Sequence, residues 1–242
     1  MLRKKIFGAG SHELFRHRGT DIFRIEALSD GVFAFSVSLL VASLEVPQSF
    51  DEFKIILRGS VPFFATVAML FLFWYRQYIF FRRYGLNDFL TILLNLFYLA
   101  IILFYIYPLK FLFAILISSW TGLNLFPKAG EKGVVVITNA DLPQLIILFS
   151  AGYFLLWFTF YWMHKRVLNL SVKMNLTQYE KRFTQKETRG ALWNSLVGLL
   201  AIIFALAGTA WLAGIIFLLI PLILMLNQYV FNQELKKERL SQ

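Results

Sequence analysis

The chain has 242 residues, 58% of them hydrophobic and 18% aromatic, and carries a formal net charge of +10. A soluble domain is about 45–50% apolar; the excess here sits in long blocks, which excludes an ordinary soluble domain and makes lipid the natural solvent. The positive charge lies between those blocks, which argues against nucleic acid as a partner, and the absence of cysteine excludes disulfides and thiolate metal sites.

Residues 1–27 read as a basic arm carrying Arg3, Lys4, Lys5, Arg16, Arg18 and Arg24, solvated up to about Phe15. The first apolar run starts near Leu28 and no small-residue cleavage site follows it, so no cleavable signal peptide is expected. A spanning helix needs about 20 mainly apolar residues. Six stretches qualify, roughly 28–44, 59–78, 89–107, 145–163, 191–207 and 211–229. Pro62 falls in the first turn of the second, where proline is tolerated. Pro108 is expected to end the third, and Pro221 to kink the sixth. Gly208 supplies the tight turn between the last two. Between the third and fourth, 111–119 is apolar enough to continue the helix or lie at the interface, and 133–138 has strand character. The expected organisation is an arm (1–27), one six-helix membrane domain (28–230) and a C-terminal tail (231–242), all-α in class.

Charge sets the orientation. Nineteen of the 24 lysines and arginines fall on the side of the two termini. Basic loops stay in the cytoplasm, so both termini are expected there, in a multi-pass cell-membrane protein.

Chemistry-bearing residues are few. The three histidines, His12, His17 and His164, have no ligand spacing to a second ligand, so no metal site or cofactor is expected. Gly8-Ala9-Gly10 lacks a nucleotide loop's lysine, and no histidine inside the spans completes a triad with Ser29 and Asp30, so an enzyme is not expected.

The stretch 24–47 stands apart. A polar knot, Arg24, Glu26, Ser29 and Asp30, opens an apolar run that carries Ser36, Ser38 and Ser43 and closes at Pro47. Ionisable groups in a membrane helix usually face the bundle interior or a water-filled path. Arg24 and Asp30 are six apart, too far to pair on one helix, so each needs partners elsewhere; Trp74, Gln77, Tyr78 and Asn95 are the candidates. Such a clamp would hold the first helix around a pore. The plainer alternative is an ordinary helix start capped by Ser29 or Asp30. Gly31, Phe35, Ser38 and Ala42 form one stripe, with Leu39 at its border. Around a symmetry axis this stripe would stack a bulky ring, a hydroxyl ring and a small ring. Close helix packing through small residues explains the same spacing.

These residues resemble a known signature. The transmembrane protein 175 family of endolysosomal and prokaryotic potassium channels carries Arg-x-x-x-Phe-Ser-Asp at the start of its first helix, followed by Gly-Val-Phe-Ala and a run ending near Val-Pro. Arg24, Ser29, Asp30, Gly31, Val32, Phe33, Ala34, Val46 and Pro47 match it. Phe73-Trp74 resembles the family's aromatic pair, and Asn95-Leu96-Phe97 with Pro108 its third helix. The resemblance implies a homotetramer with the first helix lining a central pore, passive potassium permeation, and no Thr-Val-Gly-Tyr-Gly filter loop. It places Phe35, Leu39 and Ala42 at constrictions, Ser38 as the ion-coordinating residue, and Arg24, Ser29, Asp30, Trp74 and Asn95 as anchors. The chain departs from the family at Leu28, where phenylalanine is usual, and at Gln77-Tyr78, where many prokaryotic members have paired histidines. The competing readings are a secondary transporter, which needs broken helices or midplane charges, and a non-conducting membrane scaffold.

Overall fold

The structure, a computed structural model, describes residues 15–43, 46–122, 125, 137–138 and 141–240. Eight α-helices occur among the described residues: α1 (Arg24–Ala42), α2 (Phe50–Arg58), α3 (Ser60–Tyr84), α4 (Phe89–Thr121), α5 (Leu142–Asn169), α6 (Gln178–Leu206), α7 (Ala210–Ile215) and α8 (Leu219–Leu240). No strand occurs among them. Six segments are long and apolar enough to cross a membrane: α1, Ile56–Tyr84, α4, α5, α6 and Trp211–Lys237.

The expected spans are all present, but several ends lie elsewhere. The first helix begins at Arg24, and Ser29 and Asp30 sit inside it rather than capping it. Its start is closed by Glu26, whose carboxylate accepts from the Phe23 N–H at 3.1 Å. The short amphipathic α2, with Phe50, Phe53 and Leu57 exposed, was not expected. Helix α4 does not end at Pro108 but runs on to Gly122, which takes φ +66° at its C-cap. Proline costs a helix interior about 3 kcal/mol, yet apolar residues on both sides leave this backbone no solvent to turn to, and in lipid the helix is the satisfied state. Helix α6 starts well before residue 191. Thr177 accepts from the Glu180 N–H and Glu180 accepts from the Thr177 N–H, a reciprocal capping box. In the sixth span the irregularity is a 3-10 turn, Ile216–Leu218, one turn before Pro221. The missing proline N–H frees the Phe217 carbonyl, four residues back, within that turn. Of the expected strand, 133–136 lie outside the described residues, and Ile137 and Thr138 are not extended in a ladder.

Neighbours in sequence are neighbours in space. α1 packs on α3 and α4, α4 on α5, α5 most extensively on α6, and α6 on α7 and α8. α5 carries Gly152, where an added Cβ would collide with the Tyr105 ring of α4. The core is aromatic: Phe73, Phe80, Phe81, Tyr84, Tyr98 and Phe160 are fully buried. The Tyr98 hydroxyl donates to the Phe73 carbonyl, so its polar end is satisfied.

The arm is docked from Phe15 onward. The Arg18 and Gly19 N–H groups donate to the Arg83 and Arg82 carbonyls. Phe15 packs edge-on against Tyr84 and Phe183. Gly85, in the left-handed region at φ +57°, ends α3 against Arg18, where no side chain would fit.

Candidate functional site: the first helix and its clamp

Helix α1 sits at one edge of the helical bundle and shows two faces. Ile25, Glu26, Ser29, Phe33, Ser36 and Leu40 are buried against α3 and α4. Gly31, Phe35, Ser38 and Ala42 all lie on the opposite, exposed face, Phe35 at 57% exposure; Leu39 borders it, partly buried. The stripe read from spacing is therefore a real face, turned away from α3 and α4.

The buried face is held by a chain of hydrogen bonds. Gln77 Nε2 donates to Asn95 Oδ1 at 2.8 Å, Asn95 Nδ2 donates to Ser29 Oγ at 3.0 Å, and Ser29 Oγ donates to the Ile25 carbonyl at 2.7 Å. Gln77, Asn95 and Ser29 are 2%, 0% and 1% exposed. The chain links α3, α4 and α1 where no water competes, so each bond is worth more intact than its neutral chemistry suggests. A second tie runs beside it: Trp74 Nε1–H donates to Asp30 Oδ1 at 2.7 Å, and the indole stacks on Tyr78. Toward the other end of α1, Lys110 of α4 donates to Ser43 Oγ at 2.6 Å.

The structure thus brings Ser29 to Asn95 and Asp30 to Trp74, with Gln77 completing the chain. It does not bring Arg24 into this network; Arg24 is exposed and makes no hydrogen bond or ion pair among the described residues. Ser38 keeps its hydroxyl proton on the Ala34 carbonyl at 3.1 Å, which leaves oxygen lone pairs facing outward. The Lys110–Ser43 tie was not anticipated, because Lys110 was counted as loop; only the continuation of α4 past Pro108 reveals it.

A second polar assembly fastens the arm. The buried Glu180 carboxylate accepts from Arg18 Nη1 and Nη2 at 3.0 and 2.8 Å and from the Arg16 N–H at 2.7 Å. Thr177-x-x-Glu180 fits the capping-box pattern, a signal that could have marked the start of α6 but went unread; the partner of Glu180 in the arm, more than 160 residues away, leaves no such signal.

Comparison with known proteins places this arrangement. Residues 24–105, which contain the whole clamp, match the family model described as endosomal/lysosomal potassium channel TMEM175. A Marivirga tractuosa protein named potassium channel is 32% identical over 234 residues, covering 93% of this chain and 95% of that protein. The crystal structure of a threonine-to-alanine variant of the potassium channel MtTMEM175, in complex with a nanobody–MBP fusion, superposes with a TM-score of 0.79 at 30% identity, covering 92% of this chain and 98% of that one. A lysosomal potassium-selective channel TMEM175 homolog from Chamaesiphon minutus shares the fold, with a TM-score of 0.53 at 19% identity over 84% of this chain. Six apolar helices and these relatives make the chain a multi-pass membrane protein, and it belongs to the TMEM175 family of potassium channels.

Proposed function

We propose that four copies of this chain surround a central pore lined by α1, through which potassium passes down its gradient. The observation that carries this reading is the pairing of two faces on one helix. One is clamped to α3 and α4 through Ser29, Asn95 and Gln77; the other presents Gly31, Phe35, Ser38 and Ala42 to whatever lies outside the subunit. A lipid anchor gains nothing from an exposed hydroxyl with free lone pairs, whereas a ring of such oxygens replaces part of an ion's hydration shell. Phe35 and Leu39 form the bulky rings that narrow the path, Ala42 the small ring beyond, and Ser38 the coordinating ring. Asp30 and Trp74 hold the helix at its inner end, and Arg24 is available to a neighbouring subunit. The relatives named as potassium channels support the choice of ion. The distribution of basic residues supports a cell-membrane protein with both termini in the cytoplasm, and no cofactor enters the mechanism.

The test is potassium flux from liposomes loaded with purified protein. Flux without a coupled ion gradient is expected; flux that requires one would identify a transporter, and none at all a scaffold. In bi-ionic recordings, Ser38→Ala should lower the potassium-over-sodium permeability ratio about fivefold, for about 1 kcal/mol of lost oxygen coordination. An unchanged reversal potential would remove Ser38 from the selectivity site.

A further inference from the structure

At the basic end of the bundle, a cavity of about 240 Å³ opens between α3, α5 and α6. Arg76, Arg83, Trp157, His164 and Glu187 line its polar part. A second cavity of about 160 Å³ shares Arg76, Trp157 and Glu187 and adds Lys186. Between them the two cavities are lined by three cations, Arg76, Arg83 and Lys186, and one carboxylate, Glu187. Glu187 lies 3.8 Å from Arg76 and 3.8 Å from Lys186, beyond hydrogen-bond range of both. Arg83 has no ion pair or side-chain hydrogen bond among the described residues. Aromatic faces hold the cations instead: Arg76 lies over Trp157 at 4.7 Å, Arg83 over Phe183 at 4.5 Å, and Lys186 over Phe183 at 5.1 Å. Such contacts fix the charge while leaving N–H donors without acceptors. The site is rich in donors, positive by about two charges and smaller than the roughly 300–1,000 Å³ of a drug-sized ligand pocket.

We propose that these cavities bind the phosphate of an anionic phospholipid. Phosphate supplies both the missing negative charge and the missing acceptors. The lipid rather than a soluble phosphate is indicated by the rest of the wall. Leu72, Ile79 and Phe80 of α3 also line the first cavity, and Leu72 is half-exposed. At 1.5 Å per residue, Leu72 lies about 16 Å along α3 from Arg83. The cleft therefore runs from a basic end at head-group depth to an apolar flank where an acyl chain would lie.

The full chain in detergent is titrated with phosphatidylglycerol, with phosphatidylcholine of the same acyl chains, or with inorganic phosphate, reading lipid retention by native mass spectrometry and the unfolding temperature. Phosphatidylglycerol should be retained and should raise the unfolding temperature, the other two should not, and Arg76→Gln and Lys186→Gln should each weaken the effect about fivefold. Lys173→Gln, an exposed basic residue outside the cavities, should leave it unchanged. If Arg76→Gln fails to fold, Lys186→Gln carries the test alone. Equal retention of phosphatidylcholine, wild-type retention by the folded variants, or the full shift from inorganic phosphate would each overturn the proposal. The readout is binding rather than conduction, so its failure is distinct from failure of the pore reading.

Discussion

Asn95 and Glu180 show what a single polar side chain does in this interior. Asn95 accepts from Gln77 and donates to Ser29, so Asn95→Ala removes two buried hydrogen bonds at once and leaves Gln77 Nε2 without its acceptor, while Ser29 keeps its bond to the Ile25 carbonyl. Hydrogen bonds between membrane helices are worth about 0.6 kcal/mol on average and about 1.7 at most. Asn95→Ala should therefore cost about 1–2 kcal/mol, seen as a lower unfolding temperature in detergent. Glu180 has no solvent exposure and carries a full charge against Arg18. Breaking a buried pair from one side costs about 3–5 kcal/mol, because the other charge is left stranded. Glu180→Gln should thus destabilise the fold more than Asn95→Ala, and should expose the arm at Arg18 to trypsin. Spacing named Asn95 and Trp74 as candidates because a membrane helix has few other polar groups to choose from. Glu180 escaped it because a carboxylate in a basic stretch between apolar spans looks like solvated charge until the fold brings the arm to it.

Element boundaries depend on groups that periodicity does not register. Asp88 is the N-cap of α4, outside the spans. Partial burial pushes its carboxyl up, but hydrogen bonds from the Thr91 hydroxyl and the Arg166 guanidinium outweigh this and hold it below the ordinary carboxylate range. Arg166 Nη2 sits 2.9 Å from it, joining the start of α4 to the end of α5. A carboxyl whose pKa is lowered in the folded state stabilises the fold above its unfolded value, near pH 3.9, and loses that contribution as pH falls through the folded value. The stability gap between wild type and Asp88→Asn, on the order of 1 kcal/mol for a partly exposed pair and read from the two unfolding temperatures, should be constant above about pH 5 and close at lower pH. A gap that widens on acidification would show the opposite shift. All six spans were legible because lipid demands long apolar runs. Their ends were misjudged where local chemistry overrode composition: Pro108 failed to stop α4, and the Thr177–Glu180 box began α6 inside a charged stretch.

At the scale of the whole molecule, the question is what the exposed face of α1 meets. A single chain's sequence reports helical periodicity but not the symmetry operator, so the stripe was legible while its surroundings were not. Lipid and a water-filled axis make opposite demands on the same four residues. Against lipid, the Ser38 hydroxyl would be screened from any charged reagent; on an axis it would be among the most accessible atoms of the bundle. The chain contains no cysteine, so one introduced thiol is the sole reactive site. Ser38→Cys and Ala42→Cys in liposomes should react with a charged, membrane-impermeant thiol reagent and lose potassium flux as they do so. Leu40→Cys, on the fully buried face, should stay unmodified. Four modifications per assembly, counted by native mass, would give the stoichiometry of the ring in the same experiment. Inertness at both 38 and 42 with flux intact would put this face against lipid and move the pore to another helix. The thiolate, not the thiol, reacts, and ionisation requires water. Reaction at position 38 therefore measures hydration at the one place where the proposed mechanism requires it.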